Sequence, residues 1–262
     1  EEVPFDVGVE EPAAEDHRAT IERQVSVPSV DYSDVGGLED VKRTLEESID
    51  WPRNYPRLCR TMDLETARGV LLHGPPGNGK TLLAKAIANE TDSNFISVKG
   101  PEIMDKWVGE SQQYVAELFE VAQDVAPSVV FVDEFDAIAD HRGGGDGANA
   151  VTDQVVNQLL LELDGLEELS DVVVIAATNR KDMIDEALLR PGRFGVHLHV
   201  PKPDEAARRE IFAVHLEDRP VSADVSLEWL LARTDDDYSG ADVAQVCETA
   251  ARNALREHLD GV

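Results

Sequence analysis

The chain has 262 residues, 42% of them hydrophobic, which is enough for a buried core in one large domain or in one domain with a smaller lid. It carries 53 acidic and 24 basic residues, a net charge of −29, and a surface of that sign repels nucleic-acid phosphates and anionic lipid, which argues against a motor that grips DNA by bulk charge. No run of about 18 apolar residues is present to span a membrane, and no signal peptide is visible at Glu1.

The two cysteines, Cys59 and Cys247, form neither a disulfide framework nor a zinc spacing, and they read as thiols of a reducing cytosol, so the expected location is cytoplasmic. His197 and His199 share one face of a strand pattern, but no carboxylate or cysteine completes a metal set beside them. Lysine is scarce and the acidic residues are spread along the whole chain, so a salt-adapted protein of a high-salt cytoplasm is expected.

Residues 1–30, rich in Glu, Asp, Pro and Ala, read as an acidic linker with a short helix around Asp16–Gln24. From Asp31 strands and helices alternate. Gly69–His73, Asn94–Val98, Ser128–Val132 and Asp171–Ala177 are short apolar runs read as buried strands. Val196, Leu198 and Val200 alternate as a fifth strand. Thr81–Glu90, Glu110–Gln123 and Thr152–Asp164 read as the helices between them. That alternation predicts an α/β fold: a five-stranded parallel sheet with helices on both faces, over residues 31–200. After Pro201-Lys202-Pro203 only helices follow: Asp204–His215, Leu227–Arg233 and Ser239–Leu259, with Asp204 and Ser239 as N-caps. Residues 201–262 are therefore expected to be a small helical lid.

Gly74-Pro75-Pro76-Gly77-Asn78-Gly79-Lys80-Thr81 fits the phosphate-binding P-loop pattern between a strand and a helix, the context the motif needs. Its glycines let backbone N–H groups wrap phosphates, and the helix that begins there adds a favourable dipole. Lys80 reaches the β- and γ-phosphates of ATP, and the Thr81 hydroxyl can ligate Mg²⁺. Leu82 continues the motif into the helix. About 50 residues later Val129-Val130-Phe131-Val132 ends in Asp133-Glu134. Asp133 is placed to hold the Mg²⁺ shell and Glu134 to polarise the attacking water. Asp136, beyond the strand end, reads as a helix-capping residue.

With these residues in view, the chain from Asp31 to Leu259 resembles AAA ATPases of the archaeal valosin-containing-protein type, most of all their second ATPase domain. The resemblance implies roles for further segments. Asn179, in Ala176-Ala177-Thr178-Asn179-Arg180, looks like the first sensor, which contacts the γ-phosphate or the water. Arg190 and Arg193, in Leu189-Arg190-Pro191-Gly192-Arg193-Phe194, match arginine fingers that reach the nucleotide of a neighbouring subunit. Asp34 and Gly36, in Asp34-Val35-Gly36-Gly37-Leu38, border the adenine. His215 lies near ribose and base. Gly240 and Ala241 bring the lid to the nucleotide, and Asp164-Gly165-Leu166 resembles a segment that relays nucleotide state between subunits. Lys106, Trp107 and Val108 match a first pore loop that grips an extended polypeptide, and Arg142–Gly147 stands where a second pore loop would be.

The implied function is an ATP-hydrolysing, Mg²⁺-dependent ring module, a homohexamer that unfolds proteins or extracts them from complexes by threading them through its pore. Its partners would be copies of itself and unfolded or tagged proteins, with neither nucleic acid nor membrane. A proteasome partner stays open: the sequence has no N-terminal heptads, and Leu259-Asp260-Gly261-Val262 has no aromatic docking tail. The chain departs from the family after Phe194, where Gly195-Val196 replaces an acidic and then a basic residue. That departure keeps a slowly hydrolysing switch or scaffold as an alternative. A DNA-associated ATPase is a second one, disfavoured by the charge and by Trp107.

Overall fold

The computed structural model describes residues 17–64, 68–104, 110–139, 146–166, 171–222 and 224–260. Five parallel strands form where the apolar runs stand: β2 (Gly69–His73), β3 (Asn94–Lys99), β4 (Ser128–Asp133), β5 (Val172–Thr178) and β6 (Val196–His199). Their runs are continuous rather than alternating because both faces of the sheet are covered. Leu71, Ile96, Val130, Val132, Val174 and Ala176 pack on one face, toward α7 (Glu110–Asp124) and α9 (Asp146–Gly165). Val70, Leu72, Phe95, Val129, Phe131 and Ile175 pack on the other, against α5 (Lys80–Glu90). Each fully buried Val or Leu in these layers contributes about 1.5–3 kcal/mol.

Among the described residues the sheet has six strands rather than five. Its order is β1-β3-β4-β5-β2-β6, and β1 (Val25–Ser26) pairs antiparallel with β3, Val25 facing Ile96 and Ser26 facing Phe95. β1 and the preceding α1 (His17–Gln24) lie inside the stretch expected to be a linker, so from His17 that expectation is corrected. The cause is local. His17, Ile21 and Val25 recur every four residues; His17 and Ile21 are buried, Val25 packs against the core, and the His17 ring meets Tyr114 of α7 edge-on. Arg18 adds ion pairs to Glu22 and to Asp124.

The sheet edge at the strands' C-terminal ends positions the chemistry. β2 runs into the P-loop, and its neighbour β5 delivers Thr178 and Asn179 alongside. β4, next to β5, delivers Asp133 and Glu134, with the Phe135 N–H bonded to the Ala177 carbonyl.

Three helices then make the lid: α10 (Glu205–Leu216), α11 (Leu227–Leu231) and α12 (Gly240–Asp260). They close on a small core of Phe212, Leu231, Val243 and Cys247. Asp204 caps α10 as expected, accepting from the Ala207 N–H at 2.8 Å. At α12 the exchange is reciprocal: the Ser239 N–H donates to Asp242 and the Asp242 N–H donates to the Ser239 hydroxyl. No helix among the described residues is long and apolar enough to cross a membrane.

Candidate nucleotide site

The P-loop turns on Gly77 and Gly79, with φ of +77° and +84°, a region that costs a side chain about 1–2 kcal/mol. The loop and the start of α5 form one wall of a cavity of about 620 Å³, within the usual range for a bound small molecule. Pro76, Gly77, Asn78, Gly79, Lys80, Thr81 and Leu82 line that wall. Asp34 and Gly36 line it from the N-terminal side, and His215, Gly240 and Ala241 from the lid. Asp133, Glu134 and Asn179 complete it. The sequence-predicted nucleotide residues thus converge on one space, apart from Pro75, whose carbonyl serves Lys80 from behind the loop, and the two arginines.

Lys80 is the electrostatic centre. Its ammonium donates to the carbonyls of Gly74 and Pro75, at 2.8 and 2.9 Å, and to Asn179 Oδ1 at 2.8 Å. Burial lowers its pKa, while Asp133 and Asp136 pull the other way. Phosphate oxygens would give the same ammonium a stronger, charge-assisted set of acceptors. The Thr81 hydroxyl donates to Asp133 Oδ2 at 3.2 Å. A hydroxyl and a carboxylate so placed are hard oxygen donors that fit Mg²⁺, with nucleotide phosphates and water filling the remaining positions.

Glu134 is exposed and has φ +51°, a left-handed backbone that costs a non-glycine residue about 1–3 kcal/mol. The turn is pinned on both sides, by the Glu134 N–H to Asp133 Oδ1 at 2.9 Å and by the Phe135 N–H to Ala177. Asp136 begins the short helix α8 (Asp136–Ala139), and its carboxylate takes the Thr178 hydroxyl at 2.7 Å. Thr178 in turn accepts the Arg180 N–H, so Asp136 braces the Asn179 turn from behind rather than facing the metal position.

The lid meets the P-loop directly. The Ala241 N–H donates to the Gly77 carbonyl at 2.8 Å, and the Gly240 N–H approaches Asn78 Oδ1 at 3.4 Å. His215 is half-buried, and its pKa is lowered by burial first and by Arg219 second. Val35 and Leu38, in the segment expected to border the adenine, line the cavity as well. Sequence reasoning missed Lys85, Ile211, Val214 and Ala244. A signal was there. Ile211, Val214 and His215 are spaced as one helix face, and so are Thr81 and Lys85.

Arg190 and Arg193 stand away from this cavity and in different circumstances. Arg190 is exposed, and its side chain makes no hydrogen bond or ion pair among the described residues. Arg193 is engaged within its own chain: it binds both oxygens of Asp164, at 2.9 and 2.8 Å, and the Ala187 carbonyl at 2.8 Å. The pair holds the Asp164 carboxyl below the usual carboxylate range and raises Arg193. Lys106, Trp107 and Val108 lie outside the described residues, as do residues 142–145 of the second loop.

Two family profiles match the chain: one described as "ATPase family associated with various cellular activities (AAA)" over residues 70–202, and an AAA+ lid domain over residues 224–262. The chain belongs to the AAA ATPase family. It is 57% identical over 233 residues to a Cell division cycle protein 48 homolog from Archaeoglobus fulgidus, covering 89% of this chain and 32% of that protein. It is 49% identical over 249 residues to the human ATPase family gene 2 protein homolog A, covering 94% and 28%. It is 50% identical over 236 residues to Protein CdcH of Halobacterium salinarum, covering 90% and 32%. The chain thus spans about a third of the length of the curated relatives it matches. The P-loop, Asp133-Glu134 and Asn179 all fall inside the first matched stretch, and Gly240 and Ala241 inside the second.

Proposed function

We propose that this AAA module binds ATP with Mg²⁺, hydrolyses it, and works as one member of a homohexameric ring that unfolds proteins or pulls them from complexes. The observation that carries the reading is the convergence of Lys80, Thr81, Asp133, Glu134 and Asn179 on one cavity closed by the lid. In this reading Lys80 and the P-loop amides hold the phosphates, and Asn179 and Glu134 orient the water that attacks the γ-phosphorus. Glu134 takes its proton, and Thr81 and Asp133 would hold an Mg²⁺ ion, which would supply positive charge against the phosphates. Residues 17–200 would form the sheet unit and 201–262 the lid. Arg190 completes the site of the next subunit. Trp107 grips the substrate polypeptide, and the location is a high-salt cytoplasm.

Turnover per subunit is expected to rise with protein concentration in multimolar KCl with Mg²⁺, and to be weaker at low salt, where acidic residues repel unscreened. Flat, near-zero turnover with tight ATP binding would favour the switch or scaffold, for which Gly195-Val196 is the motivating feature. Salt-sensitive binding to DNA would favour a nucleic-acid ATPase. For the threading step, Trp107→Ala is expected to stop unfolding of a folded substrate while most ATP turnover persists, as followed by loss of substrate fluorescence. Unfolding at the wild-type rate would remove Trp107 from the grip.

A further inference from the structure

A histidine that none of the site chemistry uses connects the sensor turn to the arginine segment. His197, half-buried on β6, has its Nδ1 3.3 Å from Lys181 Nζ and its Nε2 2.7 Å from the Phe194 carbonyl oxygen. An ammonium can only donate and a carbonyl can only accept. Together they select one state of the ring, neutral, with the proton on Nε2 given to Phe194 and the Nδ1 lone pair taking a proton from Lys181.

Both partners sit at informative places. Lys181 is two residues past Asn179, which holds Lys80, and it opens the short turn Lys181–Met183. Phe194 is fully buried against Phe135, the residue after Glu134, and its N–H donates to the Leu188 carbonyl. That bond closes the loop carrying Arg190. A run of contacts therefore leads from Lys80 through Asn179 and the Lys181–His197–Phe194 bonds to the loop of Arg190.

We propose that His197 is a positioning residue that couples the chain's own nucleotide site to the arginine segment it offers to a neighbour. The inference rests on the reading of Arg190 as acting in trans, and it deepens that reading. Gly195-Val196, which supplies no charged side chain to hold this segment, leaves the anchoring to His197 and to the Arg193–Asp164 pair.

The link also has a pH limit. The groups facing His197 are Lys181 from the sensor turn and His73 from β2. His199, two residues on along its own strand, stacks at a tilt on His73 with ring centroids 5.2 Å apart. Asp182 and His73 line the adjoining cavity of about 660 Å³. Burial first, and Lys181 second, lower the His197 pKa, while the Phe194 carbonyl opposes them. His73 is pushed down to about 4, so it stays neutral well below the ordinary histidine range. Protonating His197 would aim a second N–H at the Lys181 ammonium. The link is therefore present at neutral pH and lost as pH falls below the ordinary histidine range.

The test uses the full chain at a concentration where turnover per subunit has reached its plateau. His197→Leu is expected to lower kcat on the order of tenfold or more, with KM for ATP unchanged to within about twofold. Lys181→Met approaches the link from the other side and should give a similar loss, and the double variant should be no worse than either single one. His197→Gln keeps an acceptor and a donor at the spacing of the ring nitrogens but does not titrate. It should retain most of kcat and lose the acidic decline expected of the wild type. Wild-type kcat in His197→Leu, or strictly additive losses in the double variant, would overturn the coupling, and an acidic decline kept in His197→Gln would overturn its pH limit. Arg190→Ala, run in parallel, separates the two ideas: full turnover there would remove the trans-acting arginine and the coupling with it, whereas a collapse there beside an unaffected His197→Leu removes the coupling alone.

Discussion

Arg190→Ala is expected to lower ATP turnover of the assembled module by roughly a thousandfold to a hundred-thousandfold, with nucleotide affinity of the isolated subunit unchanged. Arg190 is absent from the lining of its own cavity and is exposed, and its side chain has no partner among the described residues. The loop that carries it is held at Leu188, at Phe194 and, through Arg193, at Ala187 and Asp164. An unpaired guanidinium on a braced loop is prepared to meet charge that develops outside its own chain. Arg193 is not equivalent, although the sequence reading gave both the same role. Its fork is already filled by Asp164, so in this conformation it braces the loop. Mixing decides the matter. Arg190→Ala chains keep Glu134 but lack the arginine, and Glu134→Gln chains keep the arginine but lack the carboxylate. Neither should turn over alone, and the mixture should recover activity. If Arg190→Ala chains are fully active alone, Arg190 is a surface arginine only.

Glu134→Gln is expected to reduce hydrolysis by about a hundredfold to ten-thousandfold while ATP stays bound, as judged by single-turnover product release and by retained nucleotide on the protein. The amide fills the same space but cannot accept the water's proton. Glu134→Gly asks a separate question of the same position. The φ of +51° is costless for glycine, so strain of about 1–3 kcal/mol would be relieved, against about 0.5–1 kcal/mol for the greater entropy of an unfolded glycine. This inactive variant is expected to melt no lower than the wild type. A clear fall in Tm would mean that Glu134 is held by contacts rather than held under strain for its task.

Much of the nucleotide site was legible because its signals are local. The P-loop is eight consecutive residues whose spacing is itself the chemistry, and Asp133-Glu134 announces itself as carboxylates at the end of an apolar run. The five parallel strands followed from runs that had to be buried on both faces. β1 was not legible: two residues cannot display a period, and Val25–Ser26 becomes a strand only because β3 offers an edge and α1 docks on α7. The same limit hid the engagement of Arg193. Asp164 lies 29 residues earlier, and nothing in either segment reports that the ends of α9 and of the arginine loop come together. Sequence alone presents His197 only as a histidine beside His199, because its partner Lys181 belongs to another element and is met only after folding.

The lid helix α12 has 21 residues and so runs about 31 Å at 1.5 Å per residue. Its first turn is tied to the P-loop through Ala241 and Gly77, while residues 251–260 at its other end are exposed throughout. Such a helix is a lever whose fixed end lies at the P-loop. A rotation of about 10° at Gly240 sweeps the tip by about 5 Å over that length. Leu255 and Leu259, more than half exposed near the tip, travel with it. For a given rotation the displacement scales with helix length, so shortening α12 by whole turns would reduce the travel of the tip and leave the Ala241–Gly77 bond in place.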